Sequence, residues 1–153
     1  MYSFLNLISK SIGQRNIIRS KNGSLNLLDV GCSSSIPVHF VEYANVINFL
    51  GCDPDLIGIE KVRKKSYINK FKSVRFVNVA ASSNSKKSFL EIAPKRTGSQ
   101  IKRKQNNKKN LLEIDLLKTS ILQDDFLDGS ANIIKIDAEG HESEVVKGID
   151  LNS

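Results

Sequence analysis

LNLLDVGCSSSIPVHFVEYANVINFLGCD, residues 25–53, is the stretch that decides the fold. It opens with an apolar run, residues 25–31, that ends in Asp-x-Gly. The run is continuous rather than alternating, as expected of a strand buried on both faces. Ser33, Ser34 and Ser35 follow and offer N-cap hydroxyls, and Pro37 suits a first helical turn. A helix is therefore expected from there towards Ala44. A second apolar run, residues 46–53, again ends in an acid. Strand, helix and strand at this spacing call for a right-handed crossover and parallel pairing.

The pattern continues outward. DLIGIEKVRKKSYINKF, residues 55–71, sets Leu56, Ile59 and Val62, then Ile68 and Phe71, on a helix with a basic outer face. VRFVNVA, residues 74–80, reads as a third strand. KSFLEIA (87–93) and NLLEIDLL (110–117) are strand-like, and ANIIKID (131–137) is a further buried strand followed by a helix, HESEVVKG (141–148). The expected class is α/β with a mostly parallel sheet, and no internal repeat is visible. At the amino end, Tyr2, Leu5, Ile8 and Ile12 fall at helical spacing. Residues 1–24 are thus expected to be a short amphipathic helix and linker, and residues 25–153 one domain.

Composition narrows the classes. The chain has 153 residues, 40% hydrophobic and 25% charged, which suits a globular domain with its own core rather than a disordered chain. No basic stretch precedes an apolar one at the start, as a secretory signal would require, and no run reaches the roughly 18 apolar residues that span a bilayer. A soluble, cytoplasmic protein with no membrane partner is expected. Cys32 and Cys52 are too few for a disulfide framework and read as buried free thiols. The charge is localised: residues 95–109, KRTGSQIKRKQNNKK, hold seven Lys and Arg and no acid, which equals the whole net charge of +7. This basic segment reads as a long surface loop. Its functional reading is anion capture, either of nucleic acid or of a phosphorylated substrate, though it holds no aromatic platform for bases.

In a parallel α/β sheet, ligands bind beyond the carboxyl ends of the strands. Asp29 and Gly31 end the first strand, Cys32 and Ser33 make the turn, and Asp53 ends the second strand 22 residues after Gly31. Glycine at 31 allows close backbone approach. A carboxylate at 53 could accept from both hydroxyls of a ribose, which points to an adenosine-containing cofactor. Serines stand where a dinucleotide fingerprint would want glycines, so a pyrophosphate loses its close approach. S-adenosylmethionine, which carries no phosphate, is favoured over a nicotinamide or flavin.

IIKIDAEGHESEVVKGI, residues 133–149, resembles the K-I-D-x-E-G-x-E-x-x-V-x-x-G signature of FkbM-type S-adenosylmethionine-dependent methyltransferases. LLDVGCSSSI resembles their first glycine loop, LGCDPD their acidic second-strand end, VNVAASSNSKKSFLEI the segment after strand three, and TGSQI part of their variable loop. The resemblance covers about residues 25–149. It implies a class I methyltransferase (Rossmann-like) fold and methyl transfer to a hydroxyl oxygen of a sugar, polyketide or similar small metabolite. It also implies that Asp29, Gly31, Cys32, Ser33, Asp53 and Ala81 hold the cofactor. Two departures stand out: the serine-rich glycine loop, and a chain that ends where the family continues. The expected sheet is therefore truncated after the fourth core strand, with the strand at 133–137 on an edge open to self-association.

Within that frame Asp137 is the candidate general base or substrate-positioning residue, and Glu139 is the second carboxylate. Gly140 allows a tight turn. Glu142 and Glu144, with Lys147 at the far end, read as complements of a helix dipole. Lys135 reads as an outward or edge charge and His39 as structural. A metal site from Asp137, Glu139 and His141 lacks further histidines, and no metal is expected. Two rival classes remain: a nucleic-acid-binding module working through Lys102, Arg103 and Lys104, and a non-catalytic methyltransferase fragment.

Overall fold

A computed structural model describes residues 23–33, 36, 38–92, 100–102, 111–126 and 129–151. The expected N-terminal helix, the capping residues Ser34, Ser35 and Pro37, and most of the basic segment, Arg103 and Lys104 included, lie outside the described residues. In chain order the elements are β1 (Leu25–Val30), α1 (Val38–Glu42), β2 (Ile47–Cys52), α2 (Leu56–Arg63), β3 (Ser73–Val77), β4 (Ala80–Ser82), β5 (Lys86–Glu91), β6 (Gln100–Lys102), β7 (Leu111–Lys118), α3 (Thr119–Gln123), β8 (Ile133–Ile136) and α4 (Glu142–Lys147).

Four strands form a parallel sheet in the order β3-β2-β1-β8. Period-two alternation gives each strand two working faces. Leu25, Leu27, Ile47 and Phe49 point to one side, where Phe40 of α1 and Ile59 and Val62 of α2 cover them. Leu28, Val30, Leu50 and Cys52 point to the other, where Leu122 of α3 and Val145 of α4 cover them. Burial on both faces explains why the apolar runs are continuous: all six residues of β1 are buried. Each fully buried Leu, Ile or Phe contributes about 1.5–3 kcal/mol against solvent exposure. Ile133 packs with the first cluster, and Ile134 and Ile136 with the second. Among the described residues β8 pairs with β1 alone, so it is an edge of this sheet.

The helix expected over residues 55–71 stops at Arg63, and Ser66–Lys70 is a separate 3-10 turn. Continuing the face of Ile59 and Val62 would put Lys65 and Ser66 in the core. The chain instead goes extended at Lys65, which lets Ile68 and Phe71 bury. The run at 74–80 also divides. β3 ends at Val77, and the chain enters β4 in a second sheet, ordered β4-β7-β5-β6. There β4 and β7 are parallel while β5 pairs antiparallel with both β6 and β7. Its core is smaller: Ala80, Leu90, Ile114 and Leu116, with Ile92 and Ile101 against it. Residues 95–109 are therefore not loop throughout, because Gln100–Lys102 extends this sheet alongside Phe89, Leu90 and Glu91. No described helix is long and apolar enough to cross a membrane.

Candidate functional site at the carboxyl ends of the parallel strands

Parallel pairing brings the ends of β1, β2 and β8 to one side of the sheet. The chain leaves β1 at Gly31, whose φ of 80° is a conformation that side chains disfavour. Its N–H donates to the Cys52 carbonyl at 2.9 Å, and the Asp137 N–H donates to the Val30 carbonyl at 2.9 Å. A Cβ at position 31 would lie 1.9 Å from the Asp137 carbonyl oxygen. The glycine thus admits another part of the chain, the turn after β8, which couples the two turns directly. Gly58 on α2 does the same for Ser33: a Cβ there would stand 2.3 Å from the serine's Cβ. The helix after β2 is packed close against the turn after β1.

Asp53 links these pieces. Its Oδ2 accepts from the Ser33 N–H at 3.1 Å, its Oδ1 from the Asp55 N–H at 2.7 Å, and its carbonyl from Asn78 Nδ2 at 2.9 Å. The Ser33 hydroxyl adds a further hydrogen bond to the same carboxylate. Burial pushes its pKa up, and the hydrogen bonds from Ser33 and Asp55 oppose that. Asp55 in turn caps α2, accepting from the Ile57 N–H.

Asp29 is wholly buried on β1, directly opposite Lys135 in the β1–β8 register. Lys135, expected as an outward or edge charge, does lie on the edge strand but turns inward. Its side chain is 17% exposed, and its Nζ donates to Asp29 Oδ1 at 2.8 Å while standing 3.9 Å from Asp137 Oδ2. The register explains this: residues 133, 135 and 137 share the face that holds 25, 27 and 29. Among the described residues Asp29 Oδ2 has no hydrogen-bond partner. Burial raises the Asp29 pKa to about 6, the Lys135 ammonium pulls it down, and the charges of Asp137 and Asp53 add to the rise.

Cys32 and Cys52 are buried free thiols, as the sequence indicated. Burial first, then the nearby Asp29 charge, pushes both well above the ordinary thiol range, so neither is a ready nucleophile. Asp137 is half-exposed beside the buried Asp29. Glu139 stands exposed on the turn at φ 47°. Ala81, on β4, is buried in the cluster with Leu28, Val30 and Cys52, and its backbone hydrogen-bonds the Cys52 thiol. His141 turns from the carboxylates, its Nε2 3.2 Å from Ser82 Oγ. Among the described residues no three His, Cys, Asp or Glu side chains converge as a metal would need. Glu142 Oε1 accepts from the Gly140 N–H at 3.1 Å, and backbone N–H groups hold its carboxyl low. Glu144 accepts from Lys147 and from Ser83, which together hold it at about 2.

The structure therefore brings Asp29, Gly31, Cys32, Ser33, Asp53 and Asp137 together, with Ala81 against Cys52 and Glu139 on the exposed turn after Asp137. Sequence reasoning missed Lys135 and Asn78. Only the register of β8 with β1 sets Lys135 opposite Asp29. No family model, curated protein or solved structure matches the chain.

Proposed function

We propose that this chain binds S-adenosylmethionine at the carboxyl ends of β1 and β2 and directs methyl transfer to a hydroxyl oxygen of a sugar or similar small metabolite. The single observation that carries the reading is the joint placement of a glycine turn, the second-strand carboxylate Asp53 and the buried, half-partnered carboxylate Asp29 at one end of a parallel sheet. The α/β architecture with its parallel four-stranded sheet, compatible with a Rossmann-like fold, and the resemblance at residues 133–149 support it in the same direction.

The residues present fit the cofactor. Of about four acceptor sites on the Asp53 carboxylate, the Ser33 N–H, the Ser33 hydroxyl and the Asp55 N–H take three, which leaves one for a ribose hydroxyl. Among the described residues Asp29 Oδ2 is an unmet acceptor, with Asp137 on the far side of Lys135 and the Asp53 charge also felt at Asp29, which favours a positively charged ligand. When bound, the cofactor supplies an electrophilic methyl group. Asp137, half-exposed and at the mouth of the same end, accepts the proton of the acceptor hydroxyl at a carboxylate oxygen. Its backbone is fixed by the Val30 carbonyl and by contact with Gly31, so it keeps its place relative to the turn.

Calorimetric titration with S-adenosylmethionine and S-adenosylhomocysteine tests the reading. Both should bind, and Asp53→Ala should weaken them at least about tenfold, because hydrogen bonds to a charged acceptor contribute about 1.5–3 kcal/mol. Asp53→Asn, which retains an acceptor for the Ser33 or Asp55 N–H, serves if the alanine variant does not fold. Absence of binding by the folded wild-type chain, or full affinity in both variants, would overturn it.

A further inference from the structure

We propose that Lys135 is a positioning residue: seated on Asp29 Oδ1, it holds a buried carboxylate ionised so that the second oxygen can receive a donor from the ligand. This rests on the cofactor reading above and adds to it a residue and a role.

The placement carries the argument. Lys135 and Asp29 are register partners on the face that also holds Leu25, Leu27 and Ile133. An apolar pair here would extend that core, and replacing a buried ion pair with well-packed hydrophobes is often neutral or stabilising. The charged pair instead stands at the end of the sheet where ligands bind. Its incompleteness is the second observation. At the other end of β1 the buried Asn26 has both amide atoms engaged: Nδ2 donates to the Ser130 carbonyl at 3.0 Å, and Oδ1 accepts from Asn48 Nδ2 at 2.9 Å. Asp29, equally buried, satisfies one oxygen and leaves the other without a partner. A fully buried acceptor left open at a strand end is a place for a ligand's N–H or cation.

The groups facing Asp29 are Lys135 and Asp137 from β8 and its turn, Asp53 from the end of β2, and the thiols of Cys32 and Cys52. Of these, Lys135 stabilises the carboxylate, while the charges of Asp137 and Asp53 oppose it. With the ammonium in place, Asp29 titrates at about 6 and is mostly ionised at neutral pH. Removing the ammonium leaves burial and two carboxylates acting in one direction, which drives Asp29 to the neutral acid.

The test compares wild type, Lys135→Met and Lys135→Arg by two readouts: S-adenosylhomocysteine affinity across pH, and the carbon-13 NMR titration of the Asp29 carboxyl without ligand. Wild-type affinity should fall as pH drops through about 6. Lys135→Met should lose about tenfold at neutral pH, the worth of one charge-assisted hydrogen bond, and regain it as pH rises. Its Asp29 midpoint should move up by more than about one unit, and Lys135→Arg should restore both readouts. If Lys135→Met does not fold, Lys135→Gln keeps a donor without the charge and reads the same way. An unmoved midpoint, or an affinity loss equal at every pH, overturns the proposal. A wild-type chain that does not bind S-adenosylhomocysteine, with the midpoint still moving in Lys135→Met, overturns the cofactor reading and supports the hold of Lys135 on Asp29.

Discussion

The two sheets of this protein are built by opposite rules. In the parallel sheet, helices lie on both faces, and β1 and β2 are buried almost without interruption. In the second sheet burial comes in alternation: along β7, Ile114 and Leu116 are buried while Glu113 and Asp115 between and beside them are exposed. The first sheet carries its polar groups at its strand ends, and the second carries them along one open face. A ligand site needs buried, fixed polar groups, and the first arrangement supplies charged ones, Asp29 and Asp53, at its strand ends. The junction between the sheets is tight. Thr119 Oγ1 lies within reach of the Ser82 and Val145 carbonyls, and a Cβ on Gly148 would stand 2.0 Å from the Ser82 carbonyl oxygen.

The largest expected effect breaks the parallel sheet at its centre. Phe49 is 1% exposed, with its ring 5.2 Å from that of Phe71 and 5.6 Å from that of Phe76. Phe49→Ala should cost about 4 kcal/mol, the range for emptying an aromatic site that cannot collapse. Urea denaturation measures it. A loss near 1 kcal/mol would mean that this core is as shallow as that of the second sheet.

A smaller effect, of about 3 kcal/mol, is expected from the buried carboxyl of the same sheet. Asp29 titrates at about 6 in the fold against 3.8 for the free side chain, and each unit is worth about 1.4 kcal/mol. Because the folded value is raised, the stability due to proton binding is fully present below about 3.8 and is lost as pH rises through about 6. Wild type should therefore lose stability relative to Asp29→Asn across that window, whatever the offset between the two. Parallel stability–pH curves would show that Asp29 is not held in the environment described here.

The contrast between the sheets also explains what could be read from residues alone. Leu25 to Val30 and Ile47 to Cys52 announce themselves, because burial on both faces leaves no polar position to confuse the pattern. Asp29, Gly31, Ser33 and Asp53 were legible as a site because parallel strands must end together. Lys135 was not, since a lysine between isoleucines is ordinarily a charge turned to solvent, and only the register with β1 reveals its partner. The division of residues 74–80 between two sheets had no apolar signal: Val77 and Val79 suit either strand, and the break depends on Asn78 reaching the Asp53 carbonyl. β6 was hidden by its composition. Gln100–Lys102 lies in a basic run, and its pairing is set by the backbone of β5 rather than by apolar residues of its own.

The smallest effect belongs to the open face of the second sheet. Lys87 on β5 stands directly opposite Asp115 on β7 and diagonal to Glu113, with Nζ 2.7 Å from Asp115 and 3.6 Å from Glu113. The hydrogen bond that Lys87 donates to Asp115, and the charge of that carboxylate, raise the Lys87 pKa. All three side chains are more than half exposed, so water competes for each charge and holding a long side chain in place offsets part of the attraction. Lys87→Ala should leave the urea midpoint unresolved from wild type, because nothing buried is uncovered. Lys87→Glu sets a third carboxylate beside Asp115 and Glu113, so it should lower the midpoint, and salt should restore it as screening removes the repulsion. The same charge change in the parallel sheet, at Lys135, would bury an unpaired carboxylate beside Asp29, where salt cannot reach. A salt-insensitive loss at Lys87 would place that residue in a buried setting and erase the difference between the two sheets. A salt-reversible one keeps the second sheet as an open, solvated face.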